Sequence, residues 1–318
     1  MKIDDAAQAC NRVIDEISNI VVADRSVLEV VLTGVLSRGH ILLEDVPGTG
    51  KTLTAQCFAT ALGLSFNRIQ FTPDLLPSDI TGSHIYRENT GEFEFVEGPV
   101  FGNIVLADEI NRAPPKTQAA LLEAMSEGQV SASGTTYQLP DPFFVIATQN
   151  PVEQEGTFPL PEAQRDRFIL KSELGYPNNN GMRTILNQRA DRTSQMPQPK
   201  QIIDEELISQ LQQIPEQVTV DERVRDYIID LGEATRAHNQ VEVGISPRGI
   251  QRLFEASRSR ALINGRDYVA PDDVKSIVRE AFVHRLVLTS TAAVRDVSPE
   301  DVVSDVMGSV EVPAVDPA

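Results

Sequence analysis

No stretch of the 318-residue chain approaches 18 consecutive apolar residues, so nothing in it reads as a membrane-spanning helix. The start, MKIDDAAQAC, carries acids where a secretory signal needs basic residues followed by an apolar run, and a soluble, cytoplasmic protein is expected. Cysteine is scarce. Cys10 and Cys57 are too few for a disulfide framework or a thiolate metal site and read as reduced structural residues. The four histidines (His40, His84, His238, His284) are scattered, with no pair at helical ligand spacing, which argues against a metal held by protein side chains alone. Basic charge is short as well: 28 Lys and Arg, only six of them Lys, stand against 46 Asp and Glu, for a net charge of -18. Such a surface repels nucleic acid and anionic membranes, and no local basic stripe offsets it. Low lysine with high acid suits a salt-rich cytosol, although a GC-rich genome also favours Arg over Lys.

What is present is enough for two domains and a sizeable core, with 41% apolar residues. An amphipathic helix is predicted from Ile3 to Ile20, with Val13, Ile14, Ile17 and Ile20 on one stripe, and a second from Ser26 to Leu36. Apolar segments bounded by turn residues follow: HILLEDV, FNRIQF, NIVLADE and FFVIATQ, with helical stretches such as KTQAALLEAMSEG between them. Strands alternating with helices imply an α/β fold with a parallel sheet covered on both faces. Period-two alternation around Asn89-Thr90-Gly91 predicts a hairpin insert over residues 84–98, and residues 128–140 read the same way. Residues 1–175 are thus expected to form the core and the polar segment 176–204 a linker enclosing a short helix. Residues 205–318 are expected to form a small all-helical domain, with helices at Glu205 to Ile214, Asp221 to His238, Pro247 to Ile263 and Pro271 to Leu288, and a frayed tail from Gly308.

The strand HILLEDV runs into GTGKT and then a helix. Backbone N–H groups around Gly48, Thr49 and Gly50 at a helix N-terminus form an anion nest, and glycine lets a phosphate come close. Lys51 can reach the β- and γ-phosphates, and the Thr52 hydroxyl can ligate Mg²⁺. Asp45 stands where the phosphate-loop pattern expects its first glycine; at a strand end its side chain can point away from the phosphates. The second element, IVLADE, ends a strand in Asp108, a carboxylate placed to hold Mg²⁺, and Glu109, which can orient or deprotonate an attacking water. Asn150 follows the FFVIATQ strand, where its amide can contact the γ-phosphate and the lytic water; the plain alternative is a turn-forming Asn before Pro151. In LPEAQRDRF, Arg165 and Arg167 sit near the same sheet edge, either as fingers for γ-phosphate charge or as surface partners of Glu162 or Asp166. Finally, GISPRGIQRL offers Ser246 as an N-cap and Pro247 in the first helical turn. Arg248 is left to reach back across the cleft towards a phosphate or to lie in solvent.

Taken together, GTGKT, LADE, ATQNP, the DRF arginine and SPR, followed by a helical lid, resemble the AAA+ ATPase superfamily. DEINRAPPKTQAALLEAMSEGQV, ATQNPVEQEGTFPLPEAQRDRF and SPRGIQRLFEASRSRALINGRDYVAPDDV resemble its MoxR family, over roughly Ile20 to Leu288. The resemblance implies a phosphate loop at Gly48 to Thr52, Mg²⁺ and catalytic carboxylates at Asp108 and Glu109, and a first sensor at Asn150. It also implies an arginine finger at Arg167, with Arg165 where relatives often carry leucine, a second sensor at Arg248, and Val21 and Val22 near the adenine. An acidic residue at the position of Asp45 is common in this family, and the hairpin at residues 84–98 matches the insert that marks this branch.

The function implied is that of a chaperone-like ATPase using ATP and Mg²⁺ in a homo-oligomeric, hexameric ring. It would mature protein clients with a separate partner that carries a von Willebrand factor A domain, without nucleic acid or membrane insertion. The competing expectations are a magnesium-chelatase-type motor subunit, a nucleic-acid-associated AAA+ motor, and a nucleotide-gated scaffold without turnover. The acidic balance weighs against the nucleic-acid motor, and the presence of both Glu109 and Arg167 against the scaffold.

Overall fold

Five segments between residues 40 and 172 meet in one sheet whose alternating apolar side chains are buried on both faces. The strands, in chain order, are β1 (His40–Glu44), β2 (Phe66–Gln70), β3 (Gly82–Arg87), β4 (Glu92–Glu97), β5 (Ile104–Asp108), β6 (Gln129–Ala132), β7 (Thr135–Gln138), β8 (Phe144–Gln149) and β9 (Phe168–Ser172). β2, β5, β8, β1 and β9 lie side by side in that order, all parallel. The computed structural model describes residues 1–151, 156–190 and 198–314. Parts of the segment after Asn150, of the expected linker and of the tail therefore lie outside the described residues.

Alternation along the strands sends side chains to two cores. Ile41, Leu43, Ile104, Leu106 and Ile146 face one core, and Leu42, Val105, Ala107, Val145 and Ala147 face the other. The helices before the second hairpin are α1 (Ile3–Ser18), α2 (Arg25–Leu36), α3 (Lys51–Ala61), α4 (Pro77–Thr81) and α5 (Pro115–Glu127). Val13, Ile14 and Ile17 of α1 and most of α2 enter the first core; Leu121, Leu122 and Met125 of α5 enter the second.

β3 pairs with β4 and β6 with β7, giving two antiparallel hairpins off the main sheet. They touch through aromatic side chains: Phe95 stacks on Tyr137 with ring centroids 3.8 Å apart, and the Tyr137 hydroxyl lies 3.2 Å from His84 Nε2.

After α6 (Glu162–Arg165) and β9, the chain continues through α7 (Asn179–Ala190) into α8 (Glu205–Leu211), α9 (Glu222–Ala237), α10 (Pro247–Ile263), α11 (Pro271–Lys275), α12 (Val278–Phe282), α13 (Ser290–Val294) and α14 (Pro299–Ser309). The expectation of helices alone needs one addition, a short ribbon in which β10 (Val241–Val243) pairs with β11 (Val287–Leu288). The single helix expected from Pro271 to Leu288 is broken. Ser276 donates to the Asp273 carbonyl at 2.8 Å, a local alternative to the helical ladder, and Ile277 leaves helical geometry at φ -131°. Residues 308–314 are more regular than the frayed tail expected from Gly308: α14 runs to Ser309, and Arg223 donates to the Ala314 carbonyl at 2.6 Å.

The helical part docks firmly on the core. Leu253 and Leu262 of α10, with Val278 and Phe282 of α12, share the apolar cluster that holds α1 and α2. Buried Arg285 adds polar bonds, donating from Nε to Asp166 Oδ1 at 2.7 Å and from its other nitrogens to the carbonyls of Phe168 at 2.6 Å and Ile169 at 3.1 Å. Those carbonyls sit where β9 bulges against β1, between the His40–Phe168 and Ile41–Leu170 pairs.

Candidate nucleotide site

The ends of β1, β8 and β5 converge because these strands are neighbours in the sheet. At the usual interstrand spacing, the two outer ends lie about 10 Å apart with the end of β8 between them. Ligands bind at such C-terminal strand edges in open α/β sheets.

The loop leaving β1 turns through Gly48 and Gly50, which adopt φ of +87° and +96°, a region closed to most side chains. A Cβ built on either glycine meets nothing within 4 Å, so open space lies above the loop where a phosphate chain would sit. Lys51 begins α3 and is largely buried; its Nζ donates to the carbonyls of Asp45 at 2.8 Å and Val46 at 3.1 Å. The amine is thus held by its own loop, with partners it can exchange for phosphate oxygens. Thr52 follows on the first turn of α3. Asp45 points away from the nest: Oδ2 accepts from the backbone N–H of Leu174 at 2.8 Å and of Gly175 at 3.0 Å.

Asp108 ends β5, and both its oxygens are engaged. The buried Thr148 hydroxyl donates to Oδ1 at 2.7 Å, and Arg68 reaches Oδ2 at 2.6 Å. Glu109 is left-handed at φ +57°, a conformation uncommon for a residue with a side chain. Its N–H donates back to Thr148 Oγ1 at 2.8 Å, which holds that backbone in place. The Glu109 carboxylate accepts from Gln70 at 2.8 Å and pairs with Arg112 at 3.2 Å. Asn150, just past β8, is 5% exposed.

Fit to a nucleotide and its metal can be judged from this donor set. An open nest, a lysine, a hydroxyl and a strand-end carboxylate lie on one sheet edge, and hard oxygen donors of this kind suit Mg²⁺. Arg68 supplies positive charge to Asp108 in this arrangement, the electrostatic role that a divalent cation would take over.

The arginines lie elsewhere. Arg167 donates to the Leu122 carbonyl at 2.7 Å and to the Ser126 hydroxyl, near the end of α5. Arg165 lies close enough to buried His284 to help lower its pKa, after the larger effects of burial and Arg285. Arg248 opens α10, whose N-cap Ser246 accepts from the Gly249 N–H. Its nearest recorded ionic partner is Asp166, at 4.0 Å, in the same segment as Arg165 and Arg167. The structure therefore groups Arg248 with the finger candidates. Val22 lies beside the turn into α7, where a Cβ added to Gly181 would come within 3.0 Å of it.

Matches to known proteins follow the same division. A profile described as "ATPase family associated with various cellular activities (AAA)" matches residues 40–170, and an "AAA lid domain" profile matches residues 233–306. Chaperone MoxR1 of Mycobacterium tuberculosis is 46% identical over 313 residues, covering 96% of this chain and 82% of its own. The chain belongs to the MoxR family of AAA+ ATPases. Protein MoxR of Methylorubrum extorquens is 30% identical over 86% of each chain, and the YeaC protein of Bacillus subtilis is 46% identical over 95% of this chain and 94% of its own. A crystal structure from Cytophaga hutchinsonii superposes with a TM-score of 0.90 at 39% identity, covering 97% of this chain and 96% of that one. The five-stranded parallel sheet with a helical lid is the AAA+ arrangement of the MoxR family.

Four site neighbours in this MoxR-family chain were not singled out from sequence: Arg68, Gln70, Arg112 and Thr148. Arg68 and Gln70 sit two apart on β2, hence on one face, and β2 pairs with β5 so that Gln70 lies opposite Asp108. That spacing within FNRIQF was the available signal.

Proposed function

We propose that this chain binds ATP with Mg²⁺ at the ends of β1, β8 and β5 and hydrolyses it within a ring assembly, coupling turnover to chaperone-like remodelling or maturation of protein clients. The observation that carries the reading is the convergence of an open glycine nest, Lys51 and the Asp108–Glu109 pair on one sheet edge. The nest N–H groups and Lys51 bind the phosphates, and Thr52 and Asp108 hold the metal. Mg²⁺ when bound neutralises charge developing on the phosphate oxygens. Glu109, once released from Gln70 and Arg112, takes a proton from the attacking water, and Asn150 orients that water. Arg167 lies next to Asp166, the residue that Arg248 approaches to 4.0 Å, and this grouping suits Arg167 as a finger for the nucleotide of a neighbouring copy and Arg248 as the second sensor. That arrangement requires a homo-oligomer, and a hexameric ring is the form the family resemblance implies. The family resemblance also supplies the partner, a separate protein carrying a von Willebrand factor A domain, and a cytoplasmic setting.

The test is capture with Glu109→Gln in ATP and Mg²⁺, a variant that binds nucleotide and stalls. Recovery of a von Willebrand factor A protein with a client, lost in Lys51→Ala, is the expected result. Recovery of replication or recombination proteins with DNA would overturn the chaperone reading. Mixing Arg167→Ala with Lys51→Ala should restore part of the turnover that each lacks; full activity of Arg167→Ala alone would remove its assignment as finger.

A further inference from the structure

The loop pattern G-x-x-x-x-G-K-[ST] expects glycine at position 45, and this chain places an ionisable acid there, next to where phosphate is to bind. A free carboxylate at that point would repel the ligand. The structure shows it fully employed in another direction. Asp45 is 6% exposed, and it bonds to three parts of the chain. Its backbone N–H donates to the Gln149 carbonyl at 3.0 Å, extending the β1–β8 pairing by one residue. One carboxylate oxygen accepts from the Val46 N–H at 2.9 Å, fixing the first residue of the loop. The other accepts from Leu174 and Gly175 at 2.8 and 3.0 Å, just beyond the end of β9. The neighbouring Glu44 side chain pairs with Lys171 of β9, so two successive acids join the end of β1 to the end of β9.

The far end of this connection is the joint between core and lid. Leu174, Gly175 and Tyr176 line a cavity of about 340 Å³ together with Arg279, Glu280 and Val283 from the lid. Gly175 adopts φ +68°, so the chain turns sharply where the two N–H groups meet the carboxylate. Lys51 is part of the same arrangement, since its Nζ donates to the carbonyl of Asp45 itself.

We infer that Asp45 is a positioning residue that fastens the root of the phosphate loop to the exit of β9, so that the loop and the core–lid joint form one mechanical piece. The inference rests on the nucleotide reading of the loop and adds a residue that general loop chemistry would replace with glycine. Asp45 shapes the nest from behind while keeping its charge directed away from the phosphates. It follows that restoring glycine harms the site.

Two measurements on Asp45→Gly and Asp45→Asn decide it, each made well below the variant's unfolding temperature. The first is amide hydrogen exchange of the nucleotide-free protein, which should accelerate about tenfold or more at Val46, Leu174 and Gly175 in Asp45→Gly, with Asp45→Asn intermediate because its amide keeps one acceptor oxygen. The second is equilibrium binding of a fluorescent ADP analogue, with Lys51→Ala alongside. Affinity should fall about fivefold or more in Asp45→Gly, although losing a negative charge would by itself tighten binding. Unchanged exchange overturns the inference. So does faster exchange with equal or tighter nucleotide binding, which would reduce Asp45 to a brace with no bearing on the loop. If the unaltered chain fails to bind the analogue, or Lys51→Ala binds it equally well, the nucleotide reading fails and this inference with it. The exchange data still report separately whether Asp45 ties the loop to β9.

Discussion

Replacing Thr148 with valine removes one hydroxyl and almost no volume, which makes it a clean probe of the proposed catalytic edge. The Thr148 hydroxyl is fully buried, donates to Asp108 Oδ1 at 2.7 Å and accepts from the Glu109 N–H at 2.8 Å. A hydrogen bond to a charged acceptor contributes about 1.5–3 kcal/mol and a neutral one about 0.5–1.5, so the variant should lose about 2–4 kcal/mol. In a chain of this size that corresponds to a fall in Tm of about 3–6 °C. The larger consequence falls on turnover. Glu109 keeps its left-handed backbone partly through that lost bond, and a general base contributes about 10²–10⁴-fold, so a displaced carboxylate should lower kcat by about 10²-fold. Binding of a fluorescent ADP analogue should change little, because the glycine nest is on another strand. Thr148→Ser, which restores the hydroxyl, should recover most of both losses. Calorimetry, single-turnover hydrolysis and nucleotide titration on the two variants make the comparison. Valine at 148 with unaltered kcat would refute the argument that this hydroxyl positions the acid pair.

Three further outcomes are expected. Arg68→Met removes the cation paired with Asp108, a partner about half exposed, so Mg²⁺-dependent nucleotide binding should need about two- to fivefold less Mg²⁺; a need for more would make Arg68 a phosphate ligand instead. His40 is buried, its pKa pulled from 6.5 to about 4, and burial lowers His284 in the same direction. The unfolded chain therefore takes up protons that the folded chain refuses: stability is fully present above pH 6.5 and is lost as pH falls towards 4, by about 3 kcal/mol for His40 alone. Denaturant melts at pH 7 and pH 5 measure this, and equal stability at both would contradict it. Phe95→Ala breaks the 3.8 Å stack on Tyr137, so proteolysis within residues 82–97 should accelerate while the main sheet unfolds at nearly the same temperature; a matching fall in Tm would show that the hairpins share the global core.

The strands and the phosphate loop were legible because the signals are local. HILLEDV and FFVIATQ are apolar runs closed by turn residues, and Asn89-Thr90-Gly91 marks a reversal whose Gly91 takes φ +71°. What stayed hidden depends on which strands become neighbours. Nothing within FNRIQF says that β2 lies against β5, so Arg68 and Gln70 were read as strand residues only. Thr148 was hidden for the same reason. Arg248 was expected either to reach across the cleft towards a phosphate or to lie in solvent; in the structure it is about half exposed and approaches Asp166 at 4.0 Å, a placement set by how the lid packs on the core. α14 was different, since Ser298, Pro299 and Asp301 form a capping box and a first-turn proline that could have announced it.

Arg285 gives the docking of the lid a second consequence, for the solubility of the protein. β9 is the last strand of the sheet, and the carbonyls of Phe168 and Ile169 at its bulge are satisfied by a lid guanidinium. An edge strand with free backbone groups is a template for pairing with another chain. Swinging the lid away would uncover such an edge and strip Arg285 of its Asp166, Phe168 and Ile169 acceptors, so partial opening gains little and costs that set of bonds. The joint is therefore built to be shut or fully released. A released state must be short-lived or covered by a neighbour if the protein is to escape aggregation.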